Sequence, residues 1–343
     1  MRAAVMFGAG DVRVKEVPDA RVVQQTDAVV RVTHSAICGS DLWRYRKLAP
    51  TPDGLRVGHE FIGVVEEVGA QVASVHRGDL VLVPFKWSDG TCEFCRAGLH
   101  SSCLNGGFWG GELDGGQGEA VRVPQADGTL VPLPLEPEDP RVPAVLALSD
   151  VLCTGHHAAR AAGVGPGVTV AVVGDGAVGL CAVLASARLG AEHIIVLGRH
   201  AGRTDLARRY GAVEVVSERG PEAVERVRTL TGGHGAQTVL ECVGTGAALR
   251  DALDMARPGG AVGYVGVPQD GEGVDVRRFY RRNVTLAGGV TPARAYIPEL
   301  LPDVLSGRLD ASAIFDRTVR LEGVPDGYKA MAEREALKVL IRP

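Results

Sequence analysis

Three short fragments of this 343-residue chain carry groups that bind divalent cations. Cys38 lies in Cys38-Gly39-Ser40-Asp41, His59 in Gly58-His59-Glu60, and Asp150 in Ser149-Asp150-Val151-Leu152-Cys153-Thr154-Gly155. Singly, each is unremarkable. A lone Cys is most often small core filler, and a lone His a hydrogen-bonded structural residue. Together they offer a thiolate, an imidazole and a carboxylate. That is a three-ligand zinc set with the fourth position open for substrate.

A second cluster follows the pattern Cys92-x-x-Cys95-x7-Cys103, with Asp89 ahead of it at the same C-x-x-C spacing. Three Cys in a Gly-rich loop suggest a structural zinc, with Asp89 as the fourth ligand. The alternative is a metal-free loop with three reduced thiols. Cys153, Cys181 and Cys242 lie in apolar runs and read as core, and His156 and His157 read as structural.

Gly174-Asp175-Gly176-Ala177-Val178-Gly179 fits G-x-G-x-x-G. An apolar strand precedes it and a helix-forming run follows. In that context the first Gly allows the tight turn and the second lets backbone approach a pyrophosphate. The third lets helix pack on strand, and the helix N-terminus supplies free N–H groups. The alternative is a Gly-rich turn without ligand. The next strand ends in Gly198-Arg199-His200, with Arg203 close behind, where NAD sites usually carry an acid. No carboxylate follows this strand to repel a 2′-phosphate, so the reading is NADP(H).

These groups need elements to position them. The first part is β-rich: Asp11 to Val17 alternates with period two, and Ala28 to Val32, Phe61 to Val68 and Leu80 to Phe85 are short apolar runs. Near residue 145 the texture changes. Strands at Val168 to Val173, Ile194 to Leu197, Thr238 to Cys242 and Ala261 to Val265 alternate with helical stretches such as Val178 to Leu189. That alternation implies an α/β fold with a doubly wound parallel sheet. After Thr291 the chain turns helical, then ends in strand-like runs at Phe315 to Leu321 and Lys338 to Ile341.

Composition excludes some classes. Lys plus Arg number 37 against 41 Asp plus Glu, a net charge of −4, so no nucleic-acid partner is expected. No apolar run approaches the roughly 20 residues that span a bilayer, and the N-terminus lacks a secretory apolar stretch. The seven Cys cannot all pair internally. A cytoplasmic protein with no membrane partner is the expectation.

With these motifs in place, the sequence resembles the zinc-dependent medium-chain alcohol dehydrogenases, and most of all their formaldehyde-dehydrogenase-like bacterial branch. The resemblance runs from Cys38-Gly39-Ser40-Asp41 through the Cys lobe and Gly motif to Val265-Gly266-Val267 and Leu286-Ala287-Gly288. It implies a GroES-like β-barrel catalytic domain over residues 1–148, a Rossmann domain over 149–289 and a return to the catalytic domain over 290–343. It implies catalytic zinc on Cys38, His59 and Asp150, with Asp41 orienting His59 and Glu60 behind the metal. Ser40 would bond the substrate oxygen and pass its proton outward. Thr154 would lie near the nicotinamide, with Val243, Val265, Val267 and Leu286 around the ring. Trp43 stands where many relatives have a relay His, and Trp43 and Trp109, with residues near Leu113, would line the substrate pocket.

The function implied is reversible hydride transfer between an alcohol and its carbonyl, with a small-molecule substrate and a homodimer or homotetramer as the assembly. Two alternatives are a zinc-independent NADPH quinone or enone reductase on the same fold, and a nucleotide- or metal-binding protein without turnover. The complete Cys38, His59, Asp150 set weighs against the first, and Ser40 beside it against the second.

Overall fold

The computed structural model describes residues 1–111, 113–268 and 274–343. It divides into two compact units, Met1–Asp150 with Pro292–Pro343, and Val151–Thr291. Each crossing falls two residues beyond the boundary expected from sequence.

The first unit opens with a hairpin of β1 (Arg2–Gly8) and β2 (Asp11–Glu16), antiparallel with Ala4 opposite Val14. β3 (Ala28–Ala36) leads to a short helix, α1 (Asp41–Lys47), and β4 (Glu60–Val68) and β5 (Leu80–Val83) follow. β4 pairs antiparallel with β3 on one side and β5 on the other. The other edge of β3 pairs with Ala120–Val123, and its last residues pair with the C-terminal strand Val339–Arg342. The strands curve into a barrel around Val30, Val32, Phe61, Val65, Val81, Val121 and Val123, all buried. A second core on the barrel's flank gathers Met6, Ile37, Val324, Tyr328 and Val339. The expected run Lys338 to Ile341 is this C-terminal strand, shifted by one residue, and it pairs parallel with Arg317–Arg320.

The second unit holds a six-stranded parallel sheet. Its strands are β6 (Thr169–Val173), β7 (His193–Leu197), β8 (Glu214–Val216), β9 (Ala236–Glu241), β10 (Ala256–Tyr264) and β11 (Thr285–Gly288), in the order β8-β7-β6-β9-β10-β11. The chain works outward from β6 to β8, then returns to β6's other side with β9. That reversal is the switch point where such sheets bind ligands, and the Gly motif follows β6 directly. α2 (Ala177–Arg188) and α3 (Ala201–Arg209) follow β6 and β7. Apolar runs such as Val170-Ala171-Val172 are fully buried because helices cover both faces. Among the described residues, no helix is long and apolar enough to cross a membrane.

His34 is a buried polar residue inside β3. Its Nδ1 lies 3.2 Å from Thr33 Oγ1, and among the described residues its Nε2 has no partner. Burial, and then Arg342, push its pKa down to about 4 from 6.5. The unfolded chain therefore binds a proton that the folded chain refuses. The stability this confers is complete above pH 6.5 and is lost as pH falls toward 4. His34→Gln should flatten that limb of the melting-temperature profile; an unchanged slope would show that His34 takes its proton inside the fold.

Candidate metal centre and nucleotide loop

The first centre grows from strand register. β3 and β4 pair Ala36 with Glu60, so Cys38, just past β3, and His59, just before β4, emerge side by side. Asp150 ends a 3-10 turn over Ala147–Ser149, which is tied to the segment after β5 by Phe85 N–H donating to Ser149 O at 2.9 Å. Cys38 Sγ then lies 3.4 Å from Asp150 Oδ2, and His59 Nε2 lies 3.3 Å from the same oxygen. One donor atom each from Cys38, His59, Glu60 and Asp150 falls within 4.8 Å of the others.

Behind the donors, Asp41 Oδ1 sits 3.3 Å from His59 Nδ1, and Asp41 Oδ2 accepts from Cys38 N–H at 3.0 Å. Ser40 Oγ lies 3.5 Å from His59 Nε2. Gln117 donates from Nε2 to Ala36 O at 3.0 Å and accepts from Tyr328 O–H at 2.9 Å, and its Nε2 lies 3.5 Å from Asp41 Oδ2. Gly58 must be glycine: its φ is +102°, and a Cβ there would fall 2.4 Å from Gln117 Cγ. Gln117 and Tyr328 give no sequence signal as isolated residues.

Lys338 is the other residue that sequence reading missed. It enters ahead of the C-terminal strand, fully buried, with Nζ 2.6 Å from Glu60 Oε1 and 3.3 Å from Ile37 O. A Lys opening one apolar strand and a Glu opening another were the available hint.

The electrostatics favour a bound cation. Burial, with Asp150 and Glu60 nearby, pushes the Cys38 thiol up to about 11. Burial also pushes Glu60 up, against the pull of Lys338. Burial opposes a charged His59, but Asp41, Cys38 and Asp150 outweigh it and raise its pKa well above 6.5. Tetrahedral bonds of about 2.0 Å to N or O and 2.3 Å to S put donors about 3.3 to 3.5 Å apart. The Cys38–Asp150 separation of 3.4 Å and the His59–Asp150 separation of 3.3 Å fit that ion. Lys338 is the counter-charge of Glu60, so removing it strands a buried carboxylate. Lys338→Met should cost about 3–5 kcal/mol in denaturant unfolding, with Lys338→Arg losing less. A Met variant within about 0.5 kcal/mol of the parent would show that Glu60 is already neutral.

The second cluster also closes. One donor atom each of Asp89, Cys92, Cys95 and Cys103 falls within 4.8 Å of the others, with Cys92 and Cys103 Sγ 3.9 Å apart. Asp89 Oδ1 accepts from Thr91 and Cys92 N–H, and Oδ2 from Asn105 Nδ2. Burial opposes its charge, but these bonds hold it well below the ordinary carboxylate range.

Around the first centre, the ring of Phe85 meets His59 edge-on at 6.5 Å, and Phe108 packs on Phe85 at 6.0 Å. Trp109 is buried in the barrel core against Phe61 and Trp87, with Nε1 donating to Pro84 O at 2.9 Å. Trp43 lies partly buried on α1 with Lys47 Nζ 5.7 Å above its ring.

In the second unit, Gly174 has φ +114° and Gly176 caps α2 with open space where a Cβ would point. A Cβ on Gly179 would strike Gly174 O at 2.0 Å. Glycine thus leaves a bare backbone cradle at a helix N-terminus, which fits a pyrophosphate. Ala177 and Val178 open α2, and Val243 and Val265 lie just past β9 and β10, with Val267 further on. Leu286 lies within β11, partly packed on the core, and Thr154 lies in the helix Val151–Ala161. The strand end after β7 needs a correction too. A carboxylate is present there, supplied by Asp175 from the Gly loop: its Oδ2 accepts from Arg199 N–H at 2.8 Å and His200 N–H at 3.1 Å.

Comparison with known proteins gives the family. Residues 24–135 match the model of the alcohol dehydrogenase GroES-like domain, and 177–306 that of the zinc-binding dehydrogenases. The chain is 38% identical over its whole length to a "Probable zinc-binding alcohol dehydrogenase" of Mycobacterium tuberculosis, covering 89% of it. It is 31% identical over its whole length to a glutathione-independent formaldehyde dehydrogenase of Bacillus subtilis, covering 97%. The solved structure of the alcohol dehydrogenase TADH from Thermus sp. ATN1 superposes with a TM-score of 0.90 at 37% identity, over 100% of this chain and 99% of that one. The chain belongs to the zinc-dependent medium-chain alcohol dehydrogenases, oxidoreductases that act on CH–OH groups with zinc and a nicotinamide cofactor.

Proposed function

We propose that Cys38, His59 and Asp150 hold the catalytic zinc of this alcohol dehydrogenase, and that Asp89, Cys92, Cys95 and Cys103 hold a second, structural zinc. The observation that carries the first assignment is the convergence of Sγ, Nε2 and Oδ2, from three distant segments, at the spacing zinc requires. When bound, the catalytic zinc supplies Lewis acidity that favours loss of the alcohol proton and polarises the carbonyl in reverse.

The chain's own residues do the rest. Asp41 fixes the imidazole of His59 through Nδ1, so that Nε2 faces the other donors. Lys338 holds Glu60 back by one carboxylate oxygen. Ser40 takes the hydroxyl proton and passes it outward; with Trp43 in place of a relay His, water completes the path. Trp43, Phe85 and Phe108 shape the pocket. The loop of Gly174, Gly176 and Gly179 binds the pyrophosphate, while Thr154, Val243, Val265, Val267 and Leu286 surround the nicotinamide.

For the cofactor we take NADP(H), on the guanidiniums of Arg199 and Arg203, with His200 beside them. The domains are taken as 1–148 with 290–343 for catalysis and 149–289 for the cofactor. β11 is the edge strand of its sheet, with no further strand beyond it among the described residues, and we take a homodimer or homotetramer as the assembly. We take the compartment to be the reducing cytoplasm, where clustered Cys serve metal binding more often than disulfides.

Metal analysis of the variants tests the assignment. The parent should carry about two zincs per chain. Cys38→Ser should lose one of them and lower turnover of an alcohol panel by orders of magnitude while still folding. Retained metal with near-normal turnover would overturn the first site. Asp89→Ala should lose the other zinc and several degrees of melting temperature, and keep activity at low temperature. A parent with one zinc and an unaltered Asp89→Ala melt would overturn the second.

A further inference from the structure

We propose that Asp175 sets the balance between NADP(H) and NAD(H), acting from the Gly loop where a strand-end acid acts in other dinucleotide folds. The inference rests on the reading of this unit as a cofactor domain whose cations favour NADP(H).

Position 175 is a free position of G-x-G-x-x-G, and nothing in the motif asks for an acid there. The side chain is nonetheless buried and committed. It crosses from the loop after β6 to the turn after β7. Oδ2 accepts from Arg199 N–H at 2.8 Å, from His200 N–H at 3.1 Å, and lies 2.9 Å from His200 Nδ1. Oδ1 lies 4.0 Å from the Arg203 guanidinium, beyond hydrogen-bond reach.

Gly198 shows that this carboxylate occupies the address of a strand-end acid. A Cβ on residue 198 would fall 2.7 Å from Asp175 Cβ and 3.0 Å from Oδ2. The volume holds one side chain. Here the loop fills it, and the strand end is bare for that reason.

The charge is fixed as well as placed. Burial opposes it, but the His200 side chain and the two N–H bonds hold the carboxyl below its ordinary range. A permanent negative charge thus sits among Arg199, His200 and Arg203. The two cofactors differ only at the adenosine ribose, by a neutral 2′-hydroxyl against a doubly charged 2′-phosphate. The arginines favour the phosphate and Asp175 opposes it. Arg199 is further engaged through Nε with Ser217 O at 2.9 Å, away from Asp175. Asp175 therefore restrains the preference that the arginines create.

The test is direct binding of NADPH and NADH, by calorimetry or nicotinamide fluorescence, to the purified protein and its variants. Asp175→Asn keeps an oxygen for the two N–H groups and removes the charge. It should raise the ratio of NADH to NADPH dissociation constants by about tenfold in moderate salt. Asp175→Ser, with an oxygen but no charge, should move the ratio the same way and covers any folding defect peculiar to Asn. Equal weakening of both cofactors, with the ratio unchanged, would overturn the proposal and leave Asp175 as a turn-holding residue. The underlying cofactor reading fails separately, and visibly, if the parent binds NADH more tightly and Arg203→Gln leaves the ratio where it was.

Discussion

The antiparallel pairing of Ala36 with Glu60 is the constraint from which the donor cluster follows. It brings the exit of β3 and the entry of β4 to the same end of the barrel, and those are the places where Cys38 and His59 stand. A slip of one residue would turn the inward set, Val30, Val32, Phe61 and Val65, toward the opposite face. Gly63 guards the pairing from within, since a Cβ there would meet Arg31 O at 2.2 Å. Two further segments are then hung on the same end. The 3-10 turn before Asp150 is bonded to Phe85, and the C-terminal strand that brings Lys338 pairs with Ser35 and Ala36. Four stretches far apart in sequence meet because three border one sheet and the fourth is hydrogen-bonded beside it.

That closeness makes the centre electrostatically unfinished by itself. One thiol and the carboxyls of Asp41, Glu60 and Asp150 surround one imidazole and one ammonium. Lys338 compensates Glu60 from behind and leaves the front of the cluster anionic in character. The thiol responds by holding its proton up to about 11. The zinc proposed here would reverse that preference, because thiolate, not thiol, is the form that binds a cation. The Cys lobe follows the same logic with a different division of labour. Asp89 is already ionised by its own N–H bonds, while burial keeps the Cys95 thiol protonated. In the second zinc site proposed here, Asp89 would thus be the donor that needs no proton removed.

Much of this was legible in the sequence because the informative spacings are short. Cys38-Gly39-Ser40-Asp41 and Gly58-His59-Glu60 each lie within one turn or strand end, and strand–glycine–helix punctuation marks the second unit. The α/β architecture and the parallel sheet follow from alternation that any reader can trace. What stayed hidden depends on long-range packing. Lys338 is nearly 280 residues from Glu60, and only the C-terminal strand joins them. Gln117 gains meaning from Gly58, Tyr328 and Asp41, none of which is near it in the chain. The packing of Trp109 was hidden for a related reason: it stands in a Gly-rich loop, yet its indole is buried in the barrel core, while neighbouring Phe108 is exposed beside Phe85.

Asp175 is the most instructive of these cases. A search for an acid about 20 residues past the Gly motif looks along the chain for a property that belongs to a volume. The volume at the end of β7 can be filled from residue 198 or from residue 175, and filling it from one excludes the other. Two sequences can therefore place the same charge beside the same backbone N–H groups with no residue type in common at either position. The converse also holds. A bare glycine at the strand end says nothing about local charge until its neighbour across the loop is known. Since the first variable position of the motif faces the end of the next strand, the two positions have to be read as one pair. Here that pair is Asp and Gly, and the charge survives in a place where position-by-position reading finds none.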